Sequence, residues 1–402
     1  MNETLVKMAD GYLKKLCVEI PGRHLGGAGN RKATDFFRGV LAACGFAVET
    51  DRLECIDWQD GGSRVSCGGR TFPVHTGPYS AGCDLELPLV AVRSAAELEM
   101  AEIKNKVVLL YGDITREQLM PKSFPFYNPE EHQRIIRLLE QKQPAVLIAA
   151  ATKNQESAGG LYPFPLIEDG DFHIPSVYTT AEQGAALLSC AGEPVKIAID
   201  SRRNPSDGFN VSGIKGDDHR HRVVFCAHID SKWGSPGALD NAGGVVILML
   251  LAELLKAYKE GPQVEIATLN GHEYYSIPGA LRYLEKEGST LKQIMLAVNL
   301  DGVGYEDSPT AYSFYECPEQ LRLSVQQAFT GFPGLVQGDA WPQSDHMVFA
   351  MNGCPAVALT SDFFLRHGNT ITHSPEDKPG IVNLRTLVNT AVALHGLFKK
   401  LP

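Results

Sequence analysis

The chain has 402 residues, 44% of them hydrophobic and 21% charged, with a formal net charge of −10. That length favours two domains over one, and the acidic balance, with no basic run, excludes a broad nucleic-acid-binding surface. No stretch reaches the roughly 18 apolar residues of a membrane span, and nine cysteines without a CxxC pair read as reduced thiols of a cytoplasmic protein.

MNETLVKMADGYLKKL predicts an amphipathic helix with Leu5, Met8, Tyr12, Leu13 and Leu16 on one face. It lacks the apolar run and cleavage site of a signal peptide. IPGRHLGGAGN reads as a glycine-rich turn into a second helix, Lys32 to Cys44, stopped by Gly45. FAVETDRLE reads as a strand, and the glycines and prolines from Gly61 to Pro88 as a domain crossing. Short strands then alternate with helices as far as Ser201 (LPLVAVR, KVVLLYG, AVLIAA, HIPSVYTT, PVKIAID) and carry few candidate ligands. NPSDGFNVSGIKGDDHRHR reads as the return crossing. From Val223 onward buried strands (VVFCAHID, QVEIATLN, IMLAVNLDGVG, PAVALTS) alternate with helices, the last running from Leu384 to Lys399. Continuous apolar strands of this kind predict an α/β fold with a mostly parallel sheet and helices on both faces.

In open sheets of that class, ligands gather outside the carboxyl ends of the strands. Four strands lead there into acidic or imidazole groups: His228 and Asp230, His272 and Glu273, Asp301, and His373 beyond the last core strand. Asp240 opens the helix after the first of them. Two imidazoles and three carboxylates (His228, Asp240, Glu273, Asp301, His373) suit two Zn²⁺-like ions about 3.5–4 Å apart that share a bridging carboxylate. His228-x-Asp230 puts both side chains on one strand face, so Asp230 is expected to orient His228. Each of these residues alone has a plainer reading. Asp240 serves equally well as a helix cap, and a single histidine is usually a satisfied core or surface group. Five suitable residues at consecutive strand ends are much harder to ascribe to capping.

Plainer readings stand elsewhere. Ser344-Asp345-His346 reads as a helix start near the pocket, since no G-x-S-x-G elbow exists to make it part of a triad. His219 and His221 read as solvent-facing, Tyr274, Tyr275, Trp233 and Trp341 as pocket wall or packing, and Asp377 as a brace for the His373 loop.

HIDS, PGALDNAGGVVILMLLAELL, NGHEYYSIPGALRYL, NLDGVG, SDHMVFAMNGCPA and THSPEDKPGIV together resemble the M28 family of zinc aminopeptidases and carboxypeptidases. The resemblance covers residues from about Asn210 to the end, and IPGRHLGGAGNRKATDFF agrees with it. It implies a Zn-exopeptidase (phosphorylase/hydrolase-like) catalytic domain from residues 1–80 and 204–402. Residues 81–203 would form an inserted, largely β protease-associated (PA) domain. It implies two zinc ions, with His228 and Asp301 on one, Glu273 and His373 on the other, and Asp240 bridging. The implied activity is hydrolysis of a peptide or aminoacyl substrate at a chain end, of the aminopeptidase kind, with Asp230 behind His228. Two positions depart from the family pattern: His272 replaces the acidic residue that usually serves as general base, and Thr372 replaces a usual tyrosine. His272 thus reads as a working base, as an added metal ligand, or as the mark of a weakly active binding protein. Glutaminyl cyclase chemistry on a related one-zinc fold is a further alternative, disfavoured by the presence of His228 with Asp301.

Overall fold

The computed structural model describes residues 2–20, 22–125, 127–153, 161–367 and 371–401. They form two units, one of residues 1–55 and 206–402 and the other of residues 56–205. The expected insert, 81–203, thus begins 25 residues later than the second unit does. The glycine- and proline-rich stretch is not where the chain crosses. The chain passes between units inside two long strands, Ala47–Cys67 and Pro194–Lys215. Gly61 is needed there for close approach rather than for a turn, because a Cβ on it would lie 2.5 Å from Asp200 Oδ2.

In the larger unit the central strands Ala356–Ser361, Ile294–Leu300, Asp218–His228 and Pro262–Leu269 are adjacent in that order and all parallel. Thr310–Tyr315 flanks them on one side and the end of Pro194–Lys215 on the other, each antiparallel to its neighbour. Registers such as His228 against Leu269 and Leu300 against Leu359 bring the four carboxyl ends to one rim. The four strands are apolar almost throughout because both faces are covered. Gly243–Leu254 is buried along ten of its twelve residues, and it packs with the closing helix Leu384–Phe398 and the first helix Asn2–Lys14. Leu5, Leu13 and Leu16 enter this core, as the N-terminal periodicity predicts.

The smaller unit has its own parallel run, Cys83–Val92, Val107–Leu110, Val146–Ala151 and Ser176–Thr180. Helices Ala95–Met100, Glu130–Lys142 and Ala181–Leu187 lie between or after these strands. It therefore mixes helix and strand, and two apolar clusters, around Val107 and Ile148 and around Val108 and Leu147, form its interior.

Candidate metal centre

His228 ends its strand at the rim, fully buried. Its Nε2 lies 3.0 Å from Asp240 Oδ1 and 3.4 Å from Asp301 Oδ1. Asp301 follows directly on the neighbouring strand Ile294–Leu300. His373 Nε2 lies 3.1 Å from the other oxygen of Asp240 and 3.0 Å from Glu273 Oε1. Two trios of donors result, His228–Asp240–Asp301 and Asp240–Glu273–His373, each with its ligand atoms within 4.8 Å of one another. Asp240 belongs to both. The structure thus brings together all five residues that the sequence singled out.

Asp240 is not the helix cap. Its two carboxylate oxygens face His228 and His373 instead. The next residue takes the capping role: Asn241 Oδ1 accepts from Gly244 N–H, and its amide donates to Leu300 O. Asp377 secures the turn from outside by accepting the N–H groups of Leu239 and Asp240 at 2.7 and 3.1 Å. Four residues after His373, it ties together the two segments that flank the shared carboxylate.

Asp230 has a different main task from the one its spacing suggests. The strand ends at His228, so strand alternation does not carry on to Asp230. The backbone oxygen of Asp230 takes His228 Nδ1 at 3.2 Å, while its carboxylate stands 3.5 Å away. That carboxylate accepts three successive backbone N–H groups, from Gly271, His272 and Glu273, at 2.9, 3.1 and 2.8 Å. It is the clamp that holds the Glu273 loop.

The charges in the cluster attract cations. Burial works against a charge on His373, but the Glu273 and Asp240 carboxylates outweigh it and push the imidazole up to about 10. His228 is raised in the same contest by Asp230, Asp240 and Asp301. Glu273 and Asp301 are held low despite burial, Glu273 by His373 and Lys232, Asp301 by His228. His228 Nε2 is buried among these carboxylates without a hydrogen-bond partner. An imidazole nitrogen left bare among carboxylates suits a metal ion, and the mixed N/O donor set suits zinc.

His272 stands beside the centre, stacked on His228 with ring centroids 4.4 Å apart. It also groups with His228 and Glu273 as a third possible set of donors. Burial lowers its proton affinity, but Asp345 more than compensates and raises it to about 9.

Several supporting groups carry no signal in the amino-acid sequence. Lys232 Nζ sits 3.2 Å from Glu273 Oε2, so that carboxylate offers one oxygen to His373 and the other to an ammonium. Arg23, 1% exposed, donates to the backbone oxygens of Leu16, Ile229, Pro236 and Gly237 and fixes the loop that leads to Asp240. Both residues lie in loops, where a cation reads as solvated, and neither has a spacing signal. His219 and His221 are exposed, as expected, against Gln263 and Asp218. Tyr274 is buried, and Trp233 is exposed at the edge of His24.

Residues 210–397 match the model of Peptidase family M28. Aminopeptidase YwaD of Bacillus subtilis (strain 168) is 28% identical over 391 residues, covering 92% of this chain and 79% of that protein. Leucine aminopeptidase 2 of Trichophyton equinum is 28% identical over 137 residues, 33% of this chain and 28% of its own length. Among solved structures, a zinc aminopeptidase from Bacillus subtilis superposes with a TM-score of 0.75 at 19% identity, covering 98% of this chain and 94% of that one. An aminopeptidase from Aneurinibacillus sp. strain AM-1 gives 0.72 at 18% identity, covering 99% and 93%. At such identities the structures speak for the fold, a mixed, mostly parallel α/β sheet with helices. On that fold, residues 210–397 are similar in sequence to Peptidase family M28.

Proposed function

We propose that this protein is a two-zinc exopeptidase that removes residues from the amino end of peptides. The observation that carries this reading is the pair of donor trios meeting at Asp240. His228 and Asp301 would hold one ion, Glu273 and His373 the other, with Asp240 shared. When bound, such a pair polarises a carbonyl and makes water acidic enough to attack it at neutral pH. The protein's own groups do the rest. Asp230 and Asp377 hold the Glu273 and Asp240 loops at fixed separation, because each clamps successive backbone N–H groups. His272, next to Glu273, takes the place of the proton acceptor, since imidazole is a common general base. The smaller unit is read as a PA-type domain that contributes no ligand and tunes substrate choice.

The test pairs zinc per chain with hydrolysis of free and N-blocked aminoacyl substrates. Two ions per chain and cleavage of the free-amine substrates alone are expected. One ion or none in metal-replete protein would remove the two-zinc assignment. Two ions without turnover on any substrate would leave a metal-bearing binding protein.

A further inference from the structure

The segment Ser344–His346 lines the centre without supplying any of its five donors. Ser344 Oγ donates to Asp301 Oδ2 at 2.6 Å and accepts from Asn299 Nδ2 at 2.7 Å, so it sets the rotation of that carboxylate. Asp345 faces His272, with Oδ1 3.2 Å from Nδ1. Its other oxygen is buried with no hydrogen-bond partner, and the residue is 4% exposed. Burying a carboxylate is costly unless it is paired, and the His272 ring is the group it pairs with. A carboxylate only accepts, so in the neutral ring, the form that two adjacent dications favour, the contact places the one imidazole proton on Nδ1 and leaves the lone pair on Nε2. The His272 ring also lies 23° from the plane of His228. Rings stacked in this way run side by side, whereas two ligands of one ion would converge on it. That arrangement favours a proton-handling role for His272 over ligation.

We propose that Asp345 is a positioning residue whose carboxylate holds His272 in the Nδ1–H tautomer, with Nε2 as the proton acceptor of the reaction. The catalytic consequence rests on the peptidase reading above; the tautomer does not. Nε2 takes the proton that the attacking water loses as its oxygen bonds to the scissile carbon. It returns that proton to the amine nitrogen as the C–N bond breaks, so the imidazole is unchanged after each turnover. The same carboxylate–imidazole logic holds a histidine base in unrelated hydrolases.

The experiment uses the full, zinc-loaded chain as wild type, Asp345→Ala, Asp345→Asn, Asp345→Glu, His272→Ala and the double alanine variant, with an aminoacyl p-nitroanilide. In Asp345→Ala and Asp345→Asn, kcat should fall about a hundredfold, the scale of acid–base effects, with KM and zinc content little changed. Asp345→Glu should recover part of the loss, and the double variant should be no slower than His272→Ala. In ¹⁵N-histidine NMR the His272 signals, identified by their loss in His272→Ala, should show the Nδ1–H form in wild type and lose that preference in Asp345→Ala. An unchanged tautomer, additive losses in the double variant, or loss of zinc in Asp345→Ala would each overturn the proposal, the last by making His272 a ligand. If wild type shows no turnover, the peptidase reading fails, and the tautomer comparison alone then decides the role of Asp345.

Discussion

Asp240 directs one carboxylate oxygen at each imidazole of the centre. Asp240→Asn removes the negative charge between the two proposed ions while keeping the side chain's size. Elemental analysis should show that both ions are lost, whereas Asp301→Asn should release one and leave the other. Asp230 permits a second prediction at this scale. Its carboxylate satisfies three N–H groups in the Glu273 loop, those of Gly271 and Glu273 buried, and each buried donor left unpaired costs about 1–3 kcal/mol. Asp230→Ala should therefore lower the melting temperature and weaken the ion at Glu273 and His373 more than the ion at His228 and Asp301. Titration calorimetry that finds the ion at His228 and Asp301 weakened more would assign Asp230 to His228 instead.

At the scale of elements, two features away from the donors decide whether the rim forms. The helix that follows Asp240 must start hard against the sheet: a Cβ on Gly244 would sit 2.4 Å from Asn241 Oδ1 and 2.7 Å from Leu300 O. Gly244→Ala should destabilise the protein by about 1–3 kcal/mol through overpacking, and denaturant unfolding measures it. At the amino ends of the strands, Arg222 on Asp218–His228 pairs with both Glu265 and Glu287. One guanidinium does not keep two buried carboxylates equally charged. Glu287 is held low by Arg222 and Thr290 despite its burial, while burial and the nearby Glu287 push Glu265 up to about 7. Arg222, Glu287, Tyr283 and Lys286 all face Glu265. A carboxyl with a folded pKa above its unfolded one binds its proton more tightly in the native state. Its stabilising contribution is complete below the ordinary range near 4.5 and is lost as pH rises through about 7. Thermal melts of wild type should therefore lose more stability between pH 5 and pH 8, bracketing that change, than melts of Glu265→Gln, which carries no such proton. Parallel profiles for the two proteins would show that Glu265 is already ionised below pH 7.

At the scale of the whole molecule, each of the two units has a separate apolar interior. All the donor trios found among the described residues lie in the larger unit. A ligand that binds only the native state stabilises the unit that holds it. Chelation should therefore lower the transition of the larger unit in scanning calorimetry and leave that of residues 56–205 in place. A common shift of both transitions would mean that the units unfold as one. Among the described residues no helix is long and apolar enough to cross a membrane.

Much of the centre was legible in the amino-acid sequence because strand period and chemistry coincide there. Four apolar runs each led into a donor, and parallel strands must end on one rim, so His228, Glu273 and Asp301 were bound to converge. His373, beyond the last core strand, and Asp240, at the start of the helix after the first, were reached by the same strand-end reading. The unit boundary was not legible, since turn-forming residues such as Gly61 also serve where two strands lie close. Nor was the work of Asp230, whose spacing named His228 while its three hydrogen bonds go to a loop some forty residues on. Asp345 beside His272, Lys232 on Glu273 and Arg23 among four carbonyls are pairings between distant segments. No local period encodes them. Which donor meets which acceptor in a buried site depends on how loops from separate strands fold over one rim, and only the tertiary structure decides that.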